Sequence, residues 1–214
     1  MTDDDRTTTP EPGTPPGAPV DLSPAAARVA ALLDGIPDDL LTAPTPCAAY
    51  PVAALLDHLM GLTLAFRHAA EKSTPPPAPG EAPAGPGLAS ADALDPRWRE
   101  LLPRRLDELV DAWRDPAAWE GITEVGGVTL PAHRIGLFGL DELILHGWDL
   151  ARATGQRYEP DPASVEAILA LLTESASEEG TEGLFGPRVP VPAGAPPFER
   201  ALGLSGRDPS WSAG

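Results

Sequence analysis

The sequence predicts an all-α protein, most simply a bundle of four long helices. Two observations carry that expectation. Apolar residues recur at steps of three and four along stretches that open at a proline, three of them behind Ser or Asp, and three close on glycine. Of the 28 prolines in 214 residues, 17 fall in three clusters, Pro10–Pro24, Pro75–Pro86 and Pro187–Pro197. Those clusters hold few large apolar residues and cannot offset the entropy of ordering, so they read as tail, long loop and tether. What remains, roughly 130 to 150 residues, is long enough for a real core. The expected organisation is a disordered, acidic and proline-rich tail over 1–21 and a bundle over 22–211, interrupted by a proline-rich loop over 72–94.

The elements follow in order. Ser23-Pro24 supplies a cap and a first-turn proline to AAARVAALLDG, and Gly35 can close it. Pro51 opens VAALLDHLMGLTLAFRHAAEK, where Val52, Leu55, Leu59, Leu62 and Phe66 form one apolar line. Asp95-Pro96 precedes RWRELLPRRLDELVDAWR, with Pro103 expected to kink or shorten the helix. Ile122 to Leu130, around Gly126-Gly127, reads as a short hairpin. Pro131 opens AHRIGLFGLDELILHGWDLARATG, ending at Gly155. Asp161-Pro162 begins ASVEAILALLTESASEEG, closed by Gly180. That makes five helices, four of them long, and no repeat of 20 to 50 residues.

Charge and composition exclude several classes. With 32 acidic against 15 basic residues the net charge is -17. Nucleic-acid phosphates and anionic membranes both need a basic footprint, so neither is an expected partner. No apolar run approaches the roughly 20 residues of a membrane span. The opening Met1-Thr2-Asp3-Asp4-Asp5 is no secretory signal. A lone cysteine, Cys47, excludes an internal disulfide framework and a cysteine-built zinc site. The expectation is a soluble, cytoplasmic protein, with monomer and homodimer both open.

The chemistry narrows to the four histidines, His58, His68, His133 and His146. At 100° per residue, His58 lies between Leu55 and Leu62 at the flank of the apolar line, while Asp57 and His68 fall opposite, in solvent. On the Pro131 helix, Glu142, His146 and Asp149 share one narrow stripe, flanked by Ile135, Phe138 and Ala153, with Gly139 one turn earlier. A separate stripe of Arg134, Asp141 and Arg152 supplies the solvent face. Glu142 to Asp149 is therefore a second polar line that solvation does not require. Glu-x-x-x-His presents a carboxylate oxygen and an imidazole nitrogen one turn apart. His58 from a facing helix would complete a His₂Glu set with open positions, the composition of catalytic zinc sites and one that also suits nickel or iron. Asp149 could orient a ligand or bind substrate.

Plainer readings stand beside these. Most Glu/His pairs at this spacing are surface pairs, and a single half-buried histidine usually bonds a carbonyl. Cys47 reads as a small buried hydrophobe, Trp113 and Trp148 as core, Arg67 and Arg152 as surface charges.

Three stretches carry a family resemblance. Thr45-Pro46-Cys47-Ala48-Ala49-Tyr50-Pro51-Val52, followed by Leu55-Leu56-Asp57-His58-Leu59, resembles the "TPCPGW-x-V-x-x-L-L-x-H-L" signature of actinobacterial mycothiol-dependent maleylpyruvate isomerase-like proteins. Glu142 to Gly155 is similar to the same family's "E-x-x-x-H-x-W-D-L-A-x-A-T-G" block, and Phe198 to Trp211 to the closing segment of its small single-domain members. The resemblance implies a DinB-like four-helix bundle that binds a divalent metal, typically zinc, through His58, Glu142 and His146. It further implies a low-molecular-weight thiol such as mycothiol as cosubstrate, activated by the metal for attack on a small electrophile. S-transfer, isomerisation and thiol-dependent dehalogenation or ring opening would all follow. Asp149 is then the expected catalytic or orienting carboxylate.

Two departures shape the expectation. The signature's Gly-Trp is Ala49-Tyr50 here, which should reshape the wall of the loop. The isomerase proper has a further C-terminal domain with a catalytic arginine, for which this chain has no room, so chemistry other than maleylpyruvate isomerisation itself is expected. A non-catalytic metal- or small-molecule-binding bundle is the alternative.

Overall fold

The computed structural model describes residues 19–73, 89–181 and 184–213. Most of the expected tail (1–18) and most of the expected proline-rich loop (74–88) lie outside the described residues.

Among the described residues, six α-helices and one hairpin follow in chain order: α1 (Ser23–Leu33), α2 (Val52–Glu71), α3 (Trp98–Trp113), β1 (Ile122–Val125), β2 (Val128–Pro131), α4 (Ala132–Ala153), α5 (Pro162–Ser175) and α6 (Pro197–Leu204). Single 3-10 turns occupy Asp38–Leu40, Ala91–Ala93 and Pro116–Trp119.

The helix starts use the expected residue types, with some shifts. At α1 the capping oxygen belongs to Asp21, which accepts the Ser23 N–H at 2.8 Å, while Ser23 is the first helical residue. Asp161 accepts the Ser164 N–H at 3.0 Å with Pro162 at the first helical position. Pro103 does not end α3, which runs unbroken from Trp98 to Trp113. So near the N-terminus, the missing N–H leaves a single carbonyl, that of Arg99, without its helical partner. α5 stops at Ser175 instead of reaching Gly180. Its expected last turn, Ala176 to Glu179, has no large apolar residue to bury, and Ser177 instead bonds the Gly180 carbonyl through its hydroxyl at 2.6 Å.

The hairpin turns on Gly126 and Gly127, with φ of 56° and 80°. Two successive positive φ values define the primed turn that matches strand twist, and glycine adopts them without strain.

α2 packs on α3 and α4, and α1 on α3 and α4, so the bundle proper is α1 to α4. The expected apolar line of α2, Val52, Leu55, Leu59, Leu62 and Phe66, is buried in it. The fourth member is thus α1, the shortest of the five anticipated helices; α5 packs outside on α4, and α6 on α5. Among the described residues no helix is long and apolar enough to cross a membrane.

The closing segment, Phe198 to Trp211, is docked. Ala201 and Leu202 of α6 are buried, the Val189 N–H bonds the Gly203 carbonyl at 2.9 Å, and Phe185 stacks on Phe138 of α4 at 6.5 Å. Arg152 is therefore not a free surface charge: it is half-buried, and its guanidinium donates to the Trp211 carbonyl. Arg67 is likewise half-buried, paired with Glu71 and Glu108.

Candidate metal centre

α2 brings His58 to the bundle interior beside the second half of α4, where Glu142 and His146 sit one turn apart. Both imidazoles aim at the same carboxylate oxygen. His58 Nε2 lies 3.2 Å from Glu142 Oε2, and His146 Nε2 lies 3.0 Å from it. The two rings stand edge to face, 4.9 Å between centroids. Tyr50, which stands where the family signature has tryptophan, stacks on the other face of His58 at 5.1 Å and so forms a wall of the site.

The other ring nitrogen of His146 faces Asp149, with Nδ1 2.9 Å from Oδ2. Asp149 is completely buried. Its carboxylate is gripped by Arg207: Nε lies 2.9 Å from Oδ1, and Nη2 lies 2.8 Å from Oδ2. The four residues singled out by helical position therefore converge, through one chain of contacts from His58 to Asp149. His68, expected in solvent, is half-buried beside Arg67, and neither it nor His133 joins a metal-capable donor group among the described residues.

Besides His68 and Arg152, the sequence reading misplaced Asp141 and missed Arg207. Asp141, assigned to the solvent face of α4, is only 2 % exposed. The wheel treated that face as open, but Leu184 and Phe185, with Arg207 of the closing segment, cover it. Asp141, Leu145 and His146 line a narrow cleft with Leu184, Phe185 and Arg207, and Glu142 borders it. Arg207 itself went unnoticed, because it lies in the closing segment, far from α4 in sequence. Glu199, Arg200 and Asp208 stand in the same stretch, so its charge alone did not single it out.

Cys47 also comes closer than a plain hydrophobe would. Its Sγ and donor atoms of His146 and Asp149 lie within 4.8 Å of one another, as do donor atoms of His58, Glu142 and His146.

The electrostatics follow from this crowding. Burial alone would raise the Glu142 carboxyl, but hydrogen bonds from His146 and His58 outweigh it and hold the group well below the usual carboxylate range. Burial would lower His146, yet the hydrogen bonds to Asp149 and Glu142 push it up to about 9. For Asp149 burial is again overcome, here by Arg207 and His146, and its carboxyl stays ionised. Asp141 has no such compensation. Burial, with the Glu142 charge added, pushes it up to about 8, and its Oδ1 has no partner among the described residues. Burial also raises the Cys47 thiol.

Two imidazoles and a carboxylate converging on one point suit a borderline divalent cation such as zinc. In the metal-free chain the same atoms are satisfied by sharing protons, which a metal would displace.

Comparison with known proteins places the chain in context. The family model for the mycothiol maleylpyruvate isomerase N-terminal domain matches residues 22–151. Two uncharacterized proteins of Mycobacterium tuberculosis, MT0763 of strain CDC 1551 and Rv0738 of strain H37Rv, are each 30 % identical over 192 residues. That span covers 83 % of this chain and 91 % of each of theirs. Among solved structures, the crystal structure of the mycothiol-dependent maleylpyruvate isomerase superposes with a TM-score of 0.56 at 20 % identity, over 77 % of this chain and 73 % of that one. A histidine-to-alanine mutant of that isomerase gives 0.51 at 19 % identity over the same shares.

Proposed function

Because the chain belongs to the mycothiol maleylpyruvate isomerase N-terminal domain family, with its DinB-like bundle, we propose that it binds a divalent metal and uses it to activate a low-molecular-weight thiol. His58, Glu142 and His146 would hold the ion, most simply zinc, with nickel or iron compatible with the same donors. The observation that carries this reading is the approach of two imidazole Nε2 atoms, at 3.2 and 3.0 Å, to one carboxylate oxygen. When bound, the ion supplies thiolate at neutral pH by lowering the pKa of a coordinated thiol.

The chain's own residues do the rest. Three protein donors leave a position for an incoming ligand, as catalytic sites require. Tyr50 stacks on His58 and limits its rotation. Leu145 and Phe185 supply apolar side chains to the lining of the cleft. Asp141 lines the same cleft, its Oδ1 without a partner among the described residues, and is placed to hydrogen-bond a bound electrophile or thiol. Asp149, with both oxygens engaged by Arg207, holds the Nδ1 proton of His146; this favours an orienting role for it over that of a general base. A mycothiol-like thiol attacking a small electrophile, with S-transfer or isomerisation as the result, fits such a site. A reducing cytoplasm, where this thiol and Cys47 both stay reduced, is the compartment the reading requires.

Elemental analysis of the native protein should find roughly one divalent ion per chain, lost in His146→Ala. Thermal-shift series with zinc, nickel and thiols then separate the enzyme from its alternative. Stabilisation that needs metal and thiol together supports the enzyme. Stabilisation by metal alone, with no thiol conjugated across a broad electrophile panel, points to a non-catalytic metal-binding bundle. A folded chain free of metal under both conditions would sink the assignment.

A further inference from the structure

The contacts of His146 divide between two sources. Its Nε2 faces Glu142, one turn earlier on the same helix. Its Nδ1 faces Asp149, three residues later, and among the described residues the other side-chain partner of Asp149 is Arg207.

Arg207 arrives from outside the bundle. It follows α6, whose C-terminus closes in a left-handed glycine cap: Gly206 has φ of 83°, and the Arg207 N–H bonds back to the Leu202 carbonyl at 2.8 Å. Gly206 is required there twice over, since a Cβ would also meet the Gly186 Cα at 2.6 Å. The cap turns the chain toward α4 and carries the guanidinium into the cleft, where its Nη2 also lies 3.4 Å from His146 Nδ1. Arg207 is 8 % exposed and Asp149 not at all.

Stability alone does not account for this pair. Desolvating an arginine and an aspartate is costly, and apolar residues of similar volume often serve a core as well or better. What an apolar pair could not do is fix the rotamer of Asp149. A metal-bound imidazole keeps one proton; with Asp149 Oδ2 held opposite Nδ1, that proton would stay on Nδ1 and leave Nε2, which faces Glu142, to the ion.

We propose that Arg207 is a positioning residue for the metal centre, acting through Asp149 to fix the tautomer and orientation of His146, so that the docked closing segment is part of the site. The inference rests on the metal-binding reading above.

The test uses the full chain, stripped of metal, with zinc affinity measured by competition against a chromophoric chelator and cobalt(II) binding followed by its visible spectrum. Arg207→Met is expected to weaken zinc about 10- to 100-fold and to shift the cobalt bands, with Arg207→Lys recovering only part of the loss. Arg134→Ala, which removes a pair to Glu174 on the outer face, should leave both readouts unchanged. Arg207→Met strands a buried carboxylate and could fail to fold. The double variant Asp149→Leu/Arg207→Met removes both charges and should restore folding without restoring metal affinity or the cobalt spectrum. A folded Arg207→Met or double variant that binds zinc and cobalt as the unchanged chain does would overturn the proposal. If the unchanged chain takes up neither ion, the metal-binding reading fails first, a result distinct from equal binding by chain and variant.

Discussion

The two halves of α4 are buried by opposite means. In the first half the helix lets aromatic rings in. A Cβ on Gly136 would meet Trp119 Cζ3 at 2.6 Å and Trp113 Cζ3 at 2.8 Å, and one on Gly139 would meet Phe66 Cδ1 at 2.9 Å. The polar atoms of those rings are settled locally: Trp113 Nε1 donates to the Phe66 carbonyl at 3.1 Å, and Trp119 Nε1 to the Trp113 carbonyl at 2.8 Å. In the second half Glu142, His146 and Asp149 turn to one another and to residues brought from α2 and the closing segment. Burial is common to both halves and so identifies neither. What distinguishes the site is that its polar groups satisfy each other around a shared point instead of finding backbone partners.

Four substitutions probe that contrast, in descending order of effect on stability. Asp149→Ala leaves the Arg207 guanidinium buried and unpaired, and should cost about 3–5 kcal/mol in urea denaturation of the metal-free chain. A cost near zero would mean that the polar half is held by its helix alone. Next comes the metal contribution. At a free zinc concentration of 100 Kd the unchanged chain should gain about 2.7 kcal/mol over its metal-free form, and Glu142→Gln should gain almost none. Equal gains would place the bound metal elsewhere. Gly136→Ala pushes a methyl into two indole rings and should cost about 1–3 kcal/mol, while the folded fraction keeps its full metal content. Lost metal in that variant would show the two halves to be coupled. Arg157→Ala, which removes an exposed pair with Glu159, should change stability by less than about 1 kcal/mol in the same titration and leave the metal content intact.

How far the sequence revealed this molecule depends on the range of each contact. Glu142, His146 and Asp149 were legible because a helix fixes their relative positions by geometry alone. His58 was legible as the one histidine at the edge of an apolar line whose helix had to face α4. The Asp161 cap and the Gly126-Gly127 turn were legible for the same local reason. Asp141 was misread because a helical wheel records direction, not what lies in that direction; Leu184 and Phe185 supply the cover. Arg207 stayed hidden because its partner is 58 positions away, and only the docking of α6 against α5 brings the two together.

That same separation governs the order of assembly. The contacts that make the centre join residues 84, 58 and 61 positions apart, whereas the Glu142–His146 pair forms within a single helix. Long-range closures carry an entropic cost that local turns do not, and they slow the steps that depend on them. In refolding from urea, far-UV circular dichroism should therefore recover before the chain regains the ability to capture cobalt. Between those two moments the protein is a nearly complete set of helices with no competence for metal, and docking of the Arg207 cap ends that interval.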